Sequence, residues 1–340
     1  MKLVSVVVPV YNVEAYIAET IQSILNQTYS NFELLMVNDG STDRSIEIIQ
    51  TFDDPRITLI HQENQGVSTA RNRGIAQAKG DYIALIDGDD IWAPEKLEKH
   101  IKHLENSPQI GLSFCRSAFI DLKGNPLGIY QMPRLKNIEP HHILCRNPIG
   151  NGSVPVIRRA ALEAIKHPST RNNGASMAYF DESLHHLEDV DCWLRISLSQ
   201  DWQAEGIPEA LTLYRVNLTG ASTKVDQQIA SLEKMLMKTA TYAPELVAKW
   251  GSMARAYQLR FLSRRMVSLG QGKKAVQLAN QALVTSWKIA QDEPRRTFLT
   301  FAAAYSLYLL PPFIYKRLEA RGMKMTGLSQ QKRILREQNK

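Results

Sequence analysis

Short apolar runs alternate along the first part of the chain with longer segments in which apolar residues recur every three or four positions. The runs are rich in β-branched side chains and cover residues 3–10, 32–37, 57–60 and 82–86. Runs that are apolar throughout are typical of parallel strands buried on both faces. The segments between them have the spacing of amphipathic helices and cover residues 15–25, 45–52 and 67–78. This alternation predicts an α/β fold with a doubly wound, mostly parallel sheet.

Acidic residues stand directly after two of the predicted strands. Asp39 and Asp43 follow the second strand, and Asp87, Asp89 and Asp90 follow the fourth. Because ligands bind beyond the carboxyl ends of parallel strands, we expect both groups of carboxylates on one rim of the sheet. Each group by itself is equally well explained as an ordinary turn, with Asp43 or Asp90 capping the next helix.

The D-x-D spacing of Asp87 and Asp89 suits a hard divalent cation. In an extended chain, residues two apart point the same way, so we expect both carboxylates to address one ion. Mg²⁺ or Mn²⁺ takes oxygen ligands and is commonly held by one or two carboxylates together with substrate phosphates. An EF-hand calcium loop needs an oxygen ligand and a glycine at the positions where this chain has Ile91 and Trp92. The sequence therefore argues against an EF-hand. Glycine-rich phosphate loops are missing from the sequence, so we expect a metal ion to hold a diphosphate.

The positive charge is concentrated at the end of the chain. The 340 residues carry a formal net charge of +7, and residues 316–340 alone hold eight Lys or Arg against two Glu. The three cysteines form neither a disulfide framework nor a C-x-x-C metal motif, which favours a reducing, cytoplasmic location. They are Cys115, Cys145 and Cys192.

The second part of the chain predicts helices followed by an apolar, aromatic segment. Residues 227–290 have helical spacing, and residues 298–315 are apolar with basic residues on both sides. Eighteen residues are marginal for crossing a bilayer, and Pro311 and Pro312 should end a helix there. Two interpretations stay open: peripheral contact with the inner face of a membrane, or a helix packed on the protein's own core with a solvated basic tail. No recognition motif favours nucleic acid.

We therefore expect three regions. Residues 1–225 form the sheet domain, residues 226–292 form an accessory helical region, and residues 293–340 form an apolar segment with a basic tail. The boundary of the sheet domain is expected near residues 222–228, after the last strand-like run.

Four ordered motifs carry a resemblance to a known family. They are VVVPVYN at residues 6–12, VNDGSTD at 37–43, NQGVSTARNRG at 64–74 and DGDD at 87–90. Together they resemble the family 2 glycosyltransferases, which are inverting enzymes of the GT-A fold with a Rossmann-like nucleotide-binding half. The resemblance covers roughly residues 3–220 and not the C-terminal helices.

The resemblance implies roles for particular residues of this chain. Asp39 would accept a hydrogen bond from the base, typically uracil, and Arg71 would lie near the nucleotide diphosphate. Asp87 would approach the ribose or the metal, Asp89 would bind the metal, and Arg215 would close on the diphosphate. The residues that would line the nucleoside pocket are Pro9, Tyr11 and Asn12.

The segment HHLEDVDCWLR at residues 185–195 resembles the family's E-D motif at the start of a helix. The likeness implies that Asp189 is the general base, with Asp191 and Glu188 as alternatives. A base must take the proton of the acceptor hydroxyl during a single in-line displacement. We expect an ordinary aspartate, ionised at neutral pH with a pKa of about 3.9. An acidic first helical turn, favoured by the helix dipole, is the structural alternative.

The resulting prediction is a metal-dependent, inverting transfer of a single hexosyl unit. The donor is expected to be a nucleotide-diphosphate sugar, with UDP favoured, and the acceptor a glycan or lipid-linked hydroxyl in envelope polysaccharide synthesis. The loop at residues 147–153 has glycines that permit close backbone approach and is expected to shape the pocket. The alternatives are a sugar-nucleotide pyrophosphorylase, whose glycine-rich start is missing, and a non-catalytic nucleotide- or carbohydrate-binding scaffold.

Overall fold

The computed structural model describes residues 1–169, 171, 176–217 and 224–338, and these form two units. The sheet unit contains Met1–Ile138, Pro148–Val216 and the chain from Gln330 on. The helical unit contains Glu139–Asn147 and Asn217–Ser329. The division into residues 1–225, 226–292 and 293–340 stays a prediction, and its boundary at residues 222–228 falls partly outside the described residues.

The strands of the described chain, in order, are β1 (Val4–Val10), β2 (Phe32–Asp39), β3 (Ile57–Gln62), β4 (Tyr82–Leu85), β5 (Ile91–Trp92), β6 (Ile110–Ile120), β7 (Pro126–Gln131), β8 (Val156–Arg158), β9 (His167–Pro168), β10 (Met177–Ala178) and β11 (Gln203–Arg215). The main sheet has the order β3-β2-β1-β4-β8-β6-β11-β5, with β7 beside β6. Strands β3, β2, β1 and β4 are mutually parallel, and β8 runs antiparallel to β4 and β6. β2 and β4 lie on opposite sides of β1, and because both are parallel to it they end at the same edge of the sheet.

The helices of the described chain are α1 (Ile17–Leu25), α2 (Ser45–Ile49), α3 (Val67–Gln77), α4 (Lys96–Asn106), α5 (Pro140–Arg146), α6 (Arg159–Glu163), α7 (Glu188–Leu198), α8 (Val225–Tyr242), α9 (Pro244–Ser268), α10 (Gly272–Thr285), α11 (Lys288–Asp292), α12 (Pro294–Leu309) and α13 (Pro312–Gln338). The four predicted strands and three predicted helices of the first ninety residues all form. One difference is that β3 lies at the edge of the sheet, and four of its six residues are not buried.

One apolar core of the sheet unit lies between one face of the parallel strands and helices α1 and α4. Its central side chains are fully buried and include Val6, Val8, Ile21, Leu34 and Leu97. Uninterrupted apolar strands are explained by this burial, because helices cover the sheet where the parallel strands pair.

Helix α3 lies very close to β1. A Cβ atom on Gly74 would stand 2.4 Å from Cγ1 of Val7 and 3.2 Å from Cγ2 of Val37. Such distances leave no room for any side chain, so glycine at this position sets the spacing between the helix and the sheet. Residues on α3 are thereby held in a fixed position relative to the strand ends.

Helix α9 is the centre of the helical unit and packs against α5, α8, α10 and α12. Ala275 and Ala282 of α10 are fully buried, as their helical spacing predicted, and Gly270 makes the turn between α9 and α10 with φ +71°. Pro311 and Pro312 separate α12 from α13, as expected. In the part of the chain that the structure describes, no helix is long and apolar enough to cross a membrane.

The expected basic tail is helical. Within the sheet unit, the Gln330 side chain of α13 exchanges hydrogen bonds with the backbone N–H and C=O of Tyr130, at 2.9 and 3.0 Å. Glu337 forms an ion pair with the buried Arg116. The end of α13 is therefore held by specific contacts and is not simply a solvated tail.

We expect Gly74→Ala to lower the free energy of unfolding by about 1–3 kcal/mol, because overpacking forces α3 away from β1. The matched control is Gly322→Ala in α13, where an added Cβ meets nothing within 4 Å. That substitution should be neutral or should stabilise by up to about 1 kcal/mol through helix propensity. Urea unfolding followed by circular dichroism measures both changes, and equal effects of the two substitutions would contradict this account of α3.

Candidate active site

Two loops at the carboxyl ends of β1 and β2 are tied together by side chains. The Asn12 side-chain oxygen accepts from the backbone N–H of Thr42 at 2.8 Å, and Asp43 accepts from the backbone N–H of Glu14 at 2.9 Å. Asp43 also accepts from the N–H of Ser45 at the start of α2, although the N-cap residue of that helix is Arg44. Asn12 has φ +52°, which an asparagine tolerates better than most residues. These bonds fix the loop that presents Tyr11, whose side chain is half exposed.

Asp39 is buried at the end of β2 and anchors the segment that precedes α3. Its carboxylate accepts from Gln62 Nε2 at 2.7 Å and from the backbone N–H groups of Gln65 and Gly66 at 2.7 and 2.9 Å. A carboxylate has about four acceptor positions, so these contacts leave room for one more donor. Hydrogen bonding from a nucleotide base to Asp39, beside Pro9, Tyr11 and Asn12, stays a prediction.

Arg71 of α3 joins two acidic segments that are far apart in the sequence. It donates from Nη2 to Asp87 Oδ1 at 2.7 Å and from Nη1 to Glu188 Oε1 at 2.9 Å. Its side chain is only 4% exposed, and the guanidinium lies over the ring of Phe180. Burial opposes the charge of Arg71, but the two carboxylates outweigh burial and raise its pKa. The arginine therefore stays charged and fixes the turn after β4 relative to the start of α7.

The backbone at Gly152 touches this link. A Cβ on Gly152 would lie 2.3 Å from Nη2 of Arg71 and 3.2 Å from Oδ2 of Asp87. The loop at residues 147–153 was expected to approach the site through its glycines, and it does so at this residue. No other residue type fits without moving the guanidinium.

Asp87 to Asp90 form a tight turn, which differs from the extended chain expected for the D-x-D segment. The backbone N–H of Asp90 donates to the C=O of Asp87 at 3.1 Å. The reason lies in Asp90, which is fully buried and accepts from the Ser153 hydroxyl at 2.5 Å and from the backbone N–H of Arg215 at 2.9 Å. Asp90 is thus an internal link of the turn and not a helix cap.

The turn concentrates negative charge. Burial, together with repulsion from Asp87, raises the pKa of Asp89 to about 6. Burial and repulsion from Asp89 and Asp87 raise the pKa of Asp90 well above its usual range. Asp87 and Asp89 remain partly exposed, so a cation approaching them would relieve this repulsion.

Among the described residues, a cluster of three possible metal-ligating side chains occurs elsewhere, at Glu139, His141 and His142. Local structure explains it, since Glu139 and His142 form a capping box on α5 and His141 stacks on Trp250. Asp87 and Asp89 provide two carboxylates, and no cluster of three ligating side chains includes them in the part of the chain that the structure describes. Two carboxylates fit an ion such as Mg²⁺ or Mn²⁺, which takes its other ligands from phosphates and water.

Helix α7 begins with the acidic residues that the E-D motif predicted. Glu188 is occupied by Arg71, and the fully buried Asp191 is paired with Arg195 at 3.0 Å. Asp189 is half buried and accepts from the backbone N–H of Val190. Glu188 and Asp191 therefore help to fix the start of α7 through their ion pairs, and the choice of Asp189 as the base stays a prediction.

The expectation of an ordinary pKa for Asp189 is wrong. Burial, with added repulsion from Glu188, raises this pKa to about 7, although Arg71 opposes the shift. The sequence could not indicate this, because the shift comes from the enclosure of the α7 N-terminus and not from its residue types. A carboxylate with a raised pKa is a stronger base than an ordinary aspartate.

Comparisons with known proteins show the family of the chain. The family model described as Glycosyl transferase family 2 matches residues 5–166. A glycosyltransferase of Haemophilus influenzae is 35% identical over 191 residues, which are 55% of this chain and 74% of that protein. TuaG of Bacillus subtilis is 31% identical over 65% of this chain and 82% of its own length. The chain belongs to glycosyltransferase family 2.

Solved structures confirm the fold of this glycosyltransferase. The mannosyltransferase PcManGT of Pyrobaculum calidifontis aligns with a TM-score of 0.56 at 20% identity, over 90% of this chain and 86% of its own. Staphylococcus aureus TarS aligns with a TM-score of 0.55 at 18% identity over 96% of this chain, which spans 55% of TarS. The predicted GT-A fold with a mostly parallel sheet and C-terminal helices is confirmed.

Arg215 of the glycosyltransferase is more enclosed than expected. Its side chain donates to the backbone oxygen of Asp89 at 2.8 Å and to Glu19 at 2.6 Å, and it also contacts the carbonyls of Asp121 and Leu122. Through these contacts Arg215 stabilises the acidic turn on its buried side. A contact with a diphosphate stays a prediction and would require some of these bonds to exchange.

Two supporting residues were missed by sequence reasoning. Ser153 accepts from the backbone N–H of Asp87 and donates to Asp90, so it links both ends of the turn. Asn72 uses its side chain to bind the backbone of Tyr179 and Phe180, which fixes the approach to α7. Asn72 lies next to Arg71 in a quoted motif, which was an available signal. Ser153 lies in the loop already noted for its glycines, but nothing in its spacing indicated a link to Asp90.

We expect Gly152→Ala to lower kcat/KM for glycosyl transfer by about tenfold or more, equivalent to at least about 1.4 kcal/mol. The added methyl group must displace the Arg71 guanidinium and so release Asp87. Gly322→Ala is again the control, and its activity should equal that of the unmodified enzyme. Steady-state kinetics measures the change. Unchanged activity of Gly152→Ala would show that the Arg71 link is not needed for catalysis.

Proposed function

We propose that this glycosyltransferase catalyses inverting transfer of one sugar from a nucleotide-diphosphate sugar to an acceptor hydroxyl. The observation that carries the proposal is the buried Arg71, which holds Asp87 and Glu188 and thereby places Asp189 near the acidic turn. Family membership favours transfer over the pyrophosphorylase alternative. The raised pKa of Asp189, to about 7, favours catalysis over a non-catalytic scaffold, since perturbed titration is typical of functional sites.

The donor is a UDP-sugar in this proposal. Asp39 can accept one further hydrogen bond, and the imide N–H of uracil is a donor at the position where the cytosine ring has an acceptor. Among the aligned structures, one of TarS is a complex with UDP-GlcNAc and that of PcManGT is a complex with GDP-Man and Mn²⁺. Pro9, Tyr11 and Asn12 line the nucleoside pocket in this proposal, and Arg71 and Arg215 lie toward the diphosphate.

The reaction is a single displacement at the anomeric carbon. The acceptor oxygen forms a bond to that carbon as its bond to the diphosphate oxygen breaks, and the departing nucleotide keeps the electron pair. Asp189 takes the hydroxyl proton from the face opposite the leaving group, which inverts the anomeric configuration. Glu188 and Arg71 keep Asp189 in place, and the enclosure of the α7 N-terminus keeps it basic at neutral pH.

Asp89 and Asp87 would hold a divalent cation, Mn²⁺ or Mg²⁺. When bound, such an ion neutralises negative charge that develops on the leaving diphosphate. The partly exposed carboxylates of the acidic turn fit this role, and the Mn²⁺ complex of PcManGT supports it. Ser153, Asp90 and Arg215 position the turn without contacting the ion.

The acceptor is a glycan or lipid-linked saccharide of the cell envelope, elongated at the cytoplasmic face of the membrane. The envelope context is supported by a relative, since TuaG is named for teichuronic acid biosynthesis. Transfer of one sugar per encounter agrees with a sequence that lacks the Q-x-x-R-W motif of processive synthases.

We expect Asp189→Asn to abolish transfer while leaving donor binding intact, and Asp89→Ala to weaken metal-dependent donor binding as well. UDP-sugar hydrolysis and transfer with Mn²⁺ measure turnover, and thermal stabilisation by UDP and Mn²⁺ measures binding. Asp191→Asn serves as the comparison, because loss of the Arg195 pair should lower thermal stability more than turnover. Retained transfer by Asp189→Asn would sink the assignment of the base.

We expect kcat/KM for the donor to fall about tenfold per pH unit below about pH 7. The sign follows from the raised pKa: protonated Asp189 predominates below that value and cannot accept the hydroxyl proton. The profile is measured with Mn²⁺ held saturating and with a check of stability at each pH. An activity plateau extending to pH 5 would show that the essential base has an ordinary pKa.

A further inference from the structure

Helix α12 of the helical unit buries its small and polar residues and exposes its large apolar ones. Thr297, Thr300 and Ala304 are at most 4% exposed. Five large apolar side chains on the same helix are between 38% and 71% exposed, namely Phe298, Leu299, Tyr305, Tyr308 and Leu309. A helix that packs only on its own protein shows the opposite pattern. The exposed face therefore needs a physical explanation.

The exposed residues occupy about half of the helix circumference. Phe298, Tyr305 and Leu309 recur at intervals of seven and four residues and lie along its centre line. At roughly 100° per residue, Tyr308 lies about 80° to one side of Phe298 and Leu299 about 100° to the other. The buried face has its own satisfied contacts, because the Thr297 hydroxyl donates to the C=O of Ile289 at 3.0 Å. These contacts fix the orientation of helix α12, and its large apolar side chains are therefore exposed. We call Phe298, Leu299, Tyr305, Tyr308 and Leu309 the α12 face.

Basic residues lie on both sides of the α12 face along the chain. Between residues 294 and 325 there are six Lys or Arg and one Glu. Arg295 and Arg296 come at the start of α12, and the first turns of α13 add Lys316 and Arg317. Those turns also expose Phe313, at 64%. Aromatic and aliphatic side chains beside an excess of basic residues match the interface of an anionic lipid bilayer.

A lipid surface fits this face better than a second copy of the chain does. Two copies meeting through the same face would bring two positively charged segments together, and like charges repel at close range. At sixteen residues, α12 is too short to cross a bilayer, so it would lie along the surface.

We propose that the α12 face is a peripheral membrane-binding surface that inserts its aromatic and aliphatic side chains among the lipids of an anionic bilayer. The basic residues around it contact the phosphate groups of those lipids. Tyr308 places its hydroxyl group at the level of the lipid headgroups, as amphipathic side chains do at this interface. The Tyr305 hydroxyl donates to Asn280 Oδ1 at 3.1 Å within the helical unit, so Tyr305 contributes its ring alone. This inference does not depend on the glycosyl-transfer chemistry.

Flotation of the full-length protein with lipid vesicles tests the proposal. Vesicles of phosphatidylcholine with one-third phosphatidylglycerol are compared with vesicles of phosphatidylcholine alone. We expect the unmodified protein to bind the anionic vesicles, and Phe298→Asp and Leu309→Asp each to weaken binding by about tenfold or more. The control is Val284→Asp on α10, where the valine is 88% exposed and lies outside the α12 face. It should bind as the unmodified protein does.

Three results would overturn the proposal. They are no binding of the unmodified protein to anionic vesicles, equal binding of the α12 variants, and equal binding to uncharged vesicles. A dimer in solution that Phe298→Asp converts to a monomer, without vesicle binding, would assign the face to a second copy instead. Circular dichroism and thermal unfolding without ligand verify that each variant is folded. Both α12 substitutions replace exposed side chains, so folding should be retained.

Discussion

The ion-paired Arg71 is the interaction on which the candidate site depends. It is nearly inaccessible to water, and it is held between a carboxylate that follows β4 and a carboxylate that opens α7. Breaking either pair would leave a buried charge uncompensated, which is far more costly than losing a surface salt bridge. The same bonds fix the distance between the acidic turn and Asp189. A stabilising contact and the geometry needed for catalysis are therefore the same feature.

Close backbone approaches make this arrangement possible. Gly74 lets α3 lie against β1, which sets the position of Arg71, and Gly152 lets a loop pass directly over the guanidinium. Ser153 and Arg215 then hold Asp90 inside the turn. Each of these residues acts through its neighbours, so the two partly exposed carboxylates of the turn are rigidly placed although they bear strong mutual repulsion. Rigid placement of this kind is what a metal–diphosphate complex requires.

The helical unit packs through small buried side chains on α10 and leaves large apolar side chains of α12 exposed. Alanines at Ala275 and Ala282 allow α10 to pack closely on α9, and the centre of the unit is conventional in this respect. Helix α12 is the exception, because it exposes its largest apolar side chains. A protein that elongates a lipid-linked saccharide would gain from such a face, since the enzyme would then share a surface with its acceptor.

The sequence by itself determined the order of strands and helices in the first ninety residues, the GT-A fold through its motifs, and the placement of Asp39 and Asp87 at one sheet edge. These follow from local periodicity and from motifs whose residues are adjacent in the chain. Tertiary structure alone decided that the D-x-D segment is a tight turn, that Arg215 supports it from behind and that Asp189 has a raised pKa. Each of these depends on burial and on partners more than a hundred residues away, such as Arg71 with Glu188. Electrostatic energies are set by such distances and by enclosure, which residue order does not encode locally.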